Sequence, residues 1–188
     1  MPPVEPATRQ TVLIVCFGNL CRSPMAEALL RAALPRREWN VVSAGTHAMG
    51  GSPPTRGACD AIYRIAGLDI EDQRSQPLTI ELLRESEFTF TMSRQQALEA
   101  AALHPGAAHR IRLLGAFAPA GGDGPANPDD HRAGDGIEIA DPMGGDEGDY
   151  AACCRRIAAC AQAAARWLKA GGDRAQAPLP VDAWLSRR

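Results

Sequence analysis

Four short apolar runs, each separated from the next by a stretch long enough for a helix, limit this chain to very few architectures. TVLIVC (11–16), WNVVSAG (39–45), FTFTM (88–92) and IRLLG (111–115) read as strands. The first is so evenly β-branched and aliphatic that it should be buried on both faces. Helical signals lie between them. Ser23 reads as an N-cap with Pro24 at the first helical position, and Met25, Leu29, Leu30 and Ala33 supply an apolar side. A second helix is expected from about Thr55 to Ala66, ending near Gly67, and an Ala- and Gln-rich one to about Leu103. In the last helix, about 149–169, Tyr150, Cys153, Ile157, Ala161, Ala164 and Leu168 recur at spacings of three and four, a core-facing stripe. Such alternation predicts an α/β fold, with a central four-stranded parallel sheet and helices on both faces. A length of 188 residues suits a single domain of this kind.

The expected domain is 11–170, preceded by a flexible leader, 1–10, and followed by a peripheral tail, 171–188. In that tail Leu179, Val181, Trp184 and Leu185 are able to pack back onto the domain. Residues 118–140 form a long loop rich in Pro, Gly, Asp and Asn. Between 121 and 150 nine acidic residues meet one basic residue, Arg132, so this side is strongly negative. A structureless stretch of that length should be functional or mobile.

The formal net charge of −2 gives no support to a nucleic-acid partner, which a basic balance would signal. No apolar run approaches the roughly 20 residues that span a bilayer, and the N-terminus has no apolar secretion region. Six cysteines sit in helical and core-like contexts rather than through a loop-rich scaffold, which points to reduced thiols and a cytoplasmic monomer. Cys59, Cys153, Cys154 and Cys160 read as core or helix-face residues. Cys153 and Cys154 diverge on a helix with no histidine nearby, so neither a metal nor any other cofactor is expected.

The chemistry is concentrated in C-F-G-N-L-C-R-S-P, Cys16 to Pro24. A strand that ends at Cys16 and a helix that starts at Ser23 require a sharp turn between them. Gly18 permits that turn without a Cβ penalty, and Asn19 tolerates a left-handed conformation. Successive N–H groups in such a turn can converge into an anion cradle, and the helix start adds unpaired N–H donors and the positive end of its dipole. Arg22 is able to grip two phosphate oxygens at once. The same surroundings favour the thiolate form of Cys16, which then lies in line for attack on phosphorus. A Walker A loop is excluded because no Lys-Ser/Thr follows the glycine, and a dinucleotide fingerprint because its three glycines are absent. A single cysteine at a strand end is ordinarily a small buried hydrophobe. The complete nine-residue loop argues against that for Cys16.

The stretch V-C-F-G-N-L-C-R-S-P-M-A-E-A, 15–28, resembles the signature of the low-molecular-weight protein phosphatases. The resemblance runs from about Thr11 to Leu168 and implies a phosphate-binding loop after the first strand. It makes Cys16 the nucleophile and Arg22 the phosphate clamp, with Phe17, Gly18, Asn19, Leu20 and Cys21 completing the loop. Asn19 would hold the loop shape, Ser23 would hydrogen-bond the nucleophile, and Ser43, in V-S-A-G-T (42–46), would brace Asn19. The Asp141-Pro142 pair matches the family's general acid. Such an acid protonates the leaving group and then activates the water that cleaves the thiophosphoryl intermediate. Asp141 is otherwise one charge among many in an acidic loop. Relatives use the Cys21 position for a reversible disulfide with the nucleophile; plain packing is the alternative. Gln73 stands where many relatives carry histidine, a departure from the usual supporting network. His47 and His131 read equally as pocket neighbours or solvent-facing side chains.

A phosphorylated protein or peptide is the implied substrate. Tyrosine-directed relatives place aromatic residues after the Asp-Pro pair, whereas this chain has Met143 in D-P-M-G-G, 141–145. That form resembles the protein-arginine-phosphatase branch. Leu20 points the other way, because arginine-directed relatives carry threonine there and an apolar side chain leaves a guanidinium without partners. Phosphotyrosine is therefore expected, with phosphoarginine as the alternative. An arsenate reductase would need two further cysteines after the third strand, and none occurs between Met92 and Leu114. A phosphate-binding module without catalysis would have no need of Cys16 and Asp141.

Overall fold

The apolar runs become four parallel strands, β1 (Gln10–Cys16), β2 (Trp39–Gly45), β3 (Ser86–Thr91) and β4 (Ile111–Leu113), in a computed structural model of the chain. Residues 9–118, 137–172, 178 and 180 are described. Most of the leader, most of the acidic loop with His131 and Arg132, and most of the tail with Leu179 and Trp184 lie outside them.

The sheet order is β2-β1-β3-β4. β1 pairs on both sides, with β2 and with β3. Its apolar character follows from that position, since both of its faces are covered. Val12 and Ile14 enter one core cluster, while Leu13 and Val15 enter another on the opposite face. Because β2 and β3 lie on opposite sides of β1, the chain direction switches beside the C-terminal end of β1. Open α/β sheets bind ligands at such a point. Cys16 is the last residue of β1.

Helices α1 (Arg22–Ala33), α2 (Arg56–Ala66) and α5 (Glu147–Lys169) build the larger cluster, and α3 (Ile80–Glu85) and α4 (Arg94–Leu103) the smaller. All six residues of the expected α5 stripe are buried. Ile157 and Leu168 are its large aliphatic members, and truncating either would cost about 2–5 kcal/mol. Thr55 caps α2 by accepting from the Ala58 N–H, and Gly67 ends it in the left-handed region at φ 65°. Each of these local signals was visible in the sequence.

Four features differ from expectation. Ser23 does not cap α1; the N-cap position falls on Cys21, which makes no side-chain capping bond. α5 begins at Glu147 because Asp146 and Asp149 form a reciprocal capping box. α3 is an extra helix, capped by Thr79 and only six residues long, too short to show a period. β4 stops at Leu113, and its apolar continuation turns into a 3₁₀ segment, Leu114–Phe117.

Candidate active site

The backbone after Cys16 reverses through Asn19, whose φ of 57° is the one left-handed value of a non-glycine residue among the described residues. Gly18, expected to supply the turn, does not occupy that region, and a Cβ there would meet only the Leu20 side chain at 3.6 Å. The glycine that the loop requires is Gly45, the last residue of β2. A Cβ on Gly45 would lie 2.6 Å from the Phe17 carbonyl oxygen and 2.8 Å from the Asn19 nitrogen. No side chain fits between the end of β2 and the loop.

Asn19 holds the turn because both ends of its short amide are hydrogen-bonded. Its Nδ2 donates to Ser23 Oγ at 2.9 Å and to Ser43 Oγ at 2.8 Å, and its Oδ1 accepts from the Gln76 N–H at 2.9 Å. Ser43 Oγ in turn donates to the Glu27 carboxylate, which pairs with Arg31. Arg31 also donates to the Val41 carbonyl at 2.9 Å. The chain Asn19–Ser43–Glu27–Arg31 thus ties the loop to α1 and β2. Asn19, Ser43 and Glu27 are buried, and hydrogen-bonded networks with buried members are rigid. Gln73, at the departing position, reaches the Pro24 carbonyl at 3.4 Å instead.

This bracing converges on Cys16. Its Sγ lies 2.9 Å from Ser23 Oγ and accepts from the Asn19 N–H at 3.3 Å. Ser23 Oγ already accepts from Asn19, so its own proton is available to the sulfur. That commitment explains why Ser23 does not cap α1. With no side chain capping the start of α1, the helix-start N–H donors and the positive dipole end remain for an anion.

Arg22 is buried at the start of α1. Its Nη1 donates to the Ile139 carbonyl at 3.1 Å and its Nη2 pairs with Asp141 Oδ2. The Nε is buried and has no hydrogen-bond partner among the described residues. Buried donors are nearly always satisfied, so an orphan at this spot has the character of a ligand contact. A two-oxygen grip by Arg22 requires the fork to turn from Asp141 to the incoming dianion. The Asp141 side chain is 40% exposed and stands at the pocket mouth, which leaves it room to move.

Cys21 is a free thiol beneath this site, 3.2 Å from Thr55 Oγ1 and 4.0 Å from the Tyr150 hydroxyl. Burial pushes its thiol up, with the Thr55 hydroxyl partly opposing the shift. Burial also pushes up Cys153, which donates to the Ala140 carbonyl just before Asp141. Both are held as neutral thiols.

A cavity of about 350 Å³ opens above Cys16. Phe17, Gly18, Leu20, Cys21, Arg22, Asp141 and Met143 line it, so the expected substrate-contact residues share one pocket, except that Asn19 lies behind the loop as a brace. Phe17 and Met143 are each 51% exposed on its rim, and Met49 is 98% exposed beside them. His47 also lines the pocket and stacks on Phe17 with ring centroids 4.4 Å apart. Sequence reasoning missed Glu27, Arg31, Gln76, Thr55 and Tyr150. Thr55 and Tyr150 had been read only as a helix start and a core residue, and the Glu27–Arg31 spacing of four on one helix was the trace that pair left in the sequence.

Residues 11–173 match the family described as low molecular weight phosphotyrosine protein phosphatase. The probable low molecular weight protein-tyrosine-phosphatase EpsP of Ralstonia solanacearum is 41% identical over 106 residues, 56% of this chain and 71% of that protein. The crystal structure of the Erwinia amylovora tyrosine phosphatase AmsI superposes with a TM-score of 0.69 at 28% identity, covering 88% of this chain and 95% of that one. The YwlE arginine phosphatase of Geobacillus stearothermophilus gives a TM-score of 0.71 at 29% identity, over 86% and 94% of the two chains.

Proposed function

The chain belongs to the low-molecular-weight phosphotyrosine protein phosphatase family, and from that membership we propose that Cys16, Arg22 and Asp141 carry out its hydrolysis of phosphotyrosine. In the first step the Cys16 thiolate attacks phosphorus and the bond to the tyrosine oxygen breaks. Asp141 gives its proton to that oxygen, so that a neutral phenol leaves. In the second step Asp141, now a carboxylate, takes a proton from water. The water oxygen attacks phosphorus, the S–P bond breaks, and inorganic phosphate and the Cys16 thiolate are regenerated. Arg22 and the loop N–H groups hold the equatorial oxygens throughout.

One observation carries this reading. The Cys16 sulfur is held by two donors at the floor of a pocket lined by Arg22, whose Nε has no hydrogen-bond partner among the described residues. The Arg22–Asp141 pair also fits it, because a dianion that draws Arg22 away frees Asp141 to take up its proton. Phosphate binding and acid catalysis are then coupled at one carboxylate. Six free cysteines, five of them buried, support action in a reducing compartment, and we read the enzyme as a cytoplasmic monomer. Among the described residues no helix is long and apolar enough to cross a membrane.

Phosphoarginine is the second reading, favoured by Met143-Gly144-Gly145 and by the likeness to an arginine phosphatase. Leu20 weighs against it, because it lines the pocket and packs on the apolar core. A guanidinium beside it would lose water and gain no partner, at about 1–3 kcal/mol per unsatisfied group. Each 1.4 kcal/mol or so is tenfold in rate where it persists in the transition state. On matched peptides the wild type should show a higher kcat/KM for phosphotyrosine, and Leu20→Thr should shift the ratio towards phosphoarginine. A wild-type preference for phosphoarginine would make the protein an arginine phosphatase.

A further inference from the structure

Within the phosphotyrosine reading, we infer that His47, anchored by Thr46 and Glu99, is a positioning residue that fixes Phe17 as the flat wall against which the substrate ring lies. The segment directly after Asp141, Pro142 to Gly145, carries no aromatic residue, so it gives the ring no flat surface. Leu20 and Met49 are apolar but not flat. Among the described residues Phe17 is the one benzene ring lining the pocket, and at half exposure on a loop it would be free to turn. Ordering it only when substrate arrives would weaken binding.

The surroundings of Phe17 remove that freedom. Its ring is stacked on the His47 imidazole, 4.4 Å between centroids and 13° between planes. The His47 N–H donates to the Phe17 carbonyl at 2.8 Å, so the two residues are fixed to each other through backbone and rings alike. The imidazole is itself held from behind. Its Nδ1 lies 2.9 Å from Thr46 Oγ1 and 3.8 Å from Glu99 Oε2 on α4. Glu99 Oε1 accepts from Gln95, while Oε2 is buried and makes no hydrogen bond among the described residues. Nδ1 therefore makes its hydrogen bond with Thr46 and keeps that edge of the ring turned towards the Glu99 carboxylate. Offset-stacked aromatic pairs are stabilised beyond their buried area, so the pair should act as one rigid surface.

Calorimetric titration of the full chain with benzylphosphonate and, separately, with inorganic phosphate tests this. Both probes occupy the anion cradle, but only one reaches the wall. His47→Ala should weaken benzylphosphonate about three- to tenfold and leave phosphate within about twofold. His47→Phe should restore the ring ligand by keeping the stack, and Glu99→Gln should fall between. For an aryl phosphate, KM should follow the benzylphosphonate affinity while kcat does not. A His47→Ala variant with the wild-type ratio of the two affinities, or with both weakened alike, would overturn the inference. The titrations need no turnover. A wild type unable to hydrolyse a phosphotyrosine peptide would refute the function, and the affinity ratio would still decide the wall.

Discussion

Replacing Cys16 by serine should reduce turnover of an aryl phosphate by about 10³-fold or more while leaving phosphate binding nearly intact. The substitution changes one atom at the end of β1 and leaves the cradle as it is. Asn19 would still bond Ser23, Ser43 and the Gln76 N–H, because none of those bonds involves the sulfur. Only the nucleophile changes, from a sulfur to a far less nucleophilic oxygen. Single-turnover kinetics and a calorimetric phosphate titration on the same preparation separate the two effects. A serine variant with most of the wild-type rate would exclude a covalent role for Cys16. A variant that had lost phosphate affinity as well would show that the sulfur shapes the cradle.

Arg22→Lys should be nearly as severe, about 10²–10³-fold in kcat, although the charge is kept. In this structure Arg22 lines the pocket while it holds the Ile139 carbonyl and the Asp141 carboxylate. A lysine ammonium is one point at the end of a shorter reach and cannot hold the two flanking groups and a phosphoryl oxygen together. Arg22 is also the tie between α1 and the segment that carries Asp141, so Asp141 should lose its placement in the same variant. Thermal melting would establish that the variant folds. Near-normal kinetics in a folded Arg22→Lys protein would remove Arg22 from the phosphate clamp.

What could be read from the sequence was what is contiguous. Cys16, Arg22 and the residues between them fall in one loop, and the strand before it and helix after it gave independent signals. Ser43 was legible through its own short stretch. Ser23 bonds the nucleophile as the resemblance implied, but its reading as a helix cap failed for a physical reason, since Ser-Pro before an apolar run is the usual pattern of a cap. Its hydroxyl goes to Cys16 and Asn19 instead. Gly18 and Gly45 exchanged roles for a similar reason. A glycine inside a turn invites a conformational argument, whereas the need for Gly45 comes from the approach of two segments far apart in sequence. The Gln76 contact could not be read at all, because a backbone N–H carries no side-chain signature. His47 depended on a neighbour from α4, which only the packed sheet brings near.

The most direct test of the central claim is to stop the reaction with acid during steady turnover of an aryl phosphate and map the protein by mass spectrometry. The mechanism predicts one phosphoryl group on the peptide that contains Cys16, present during turnover and lost once substrate is exhausted. A protein that turns over with no phosphoryl group attached, or with one attached anywhere other than Cys16, would contradict it.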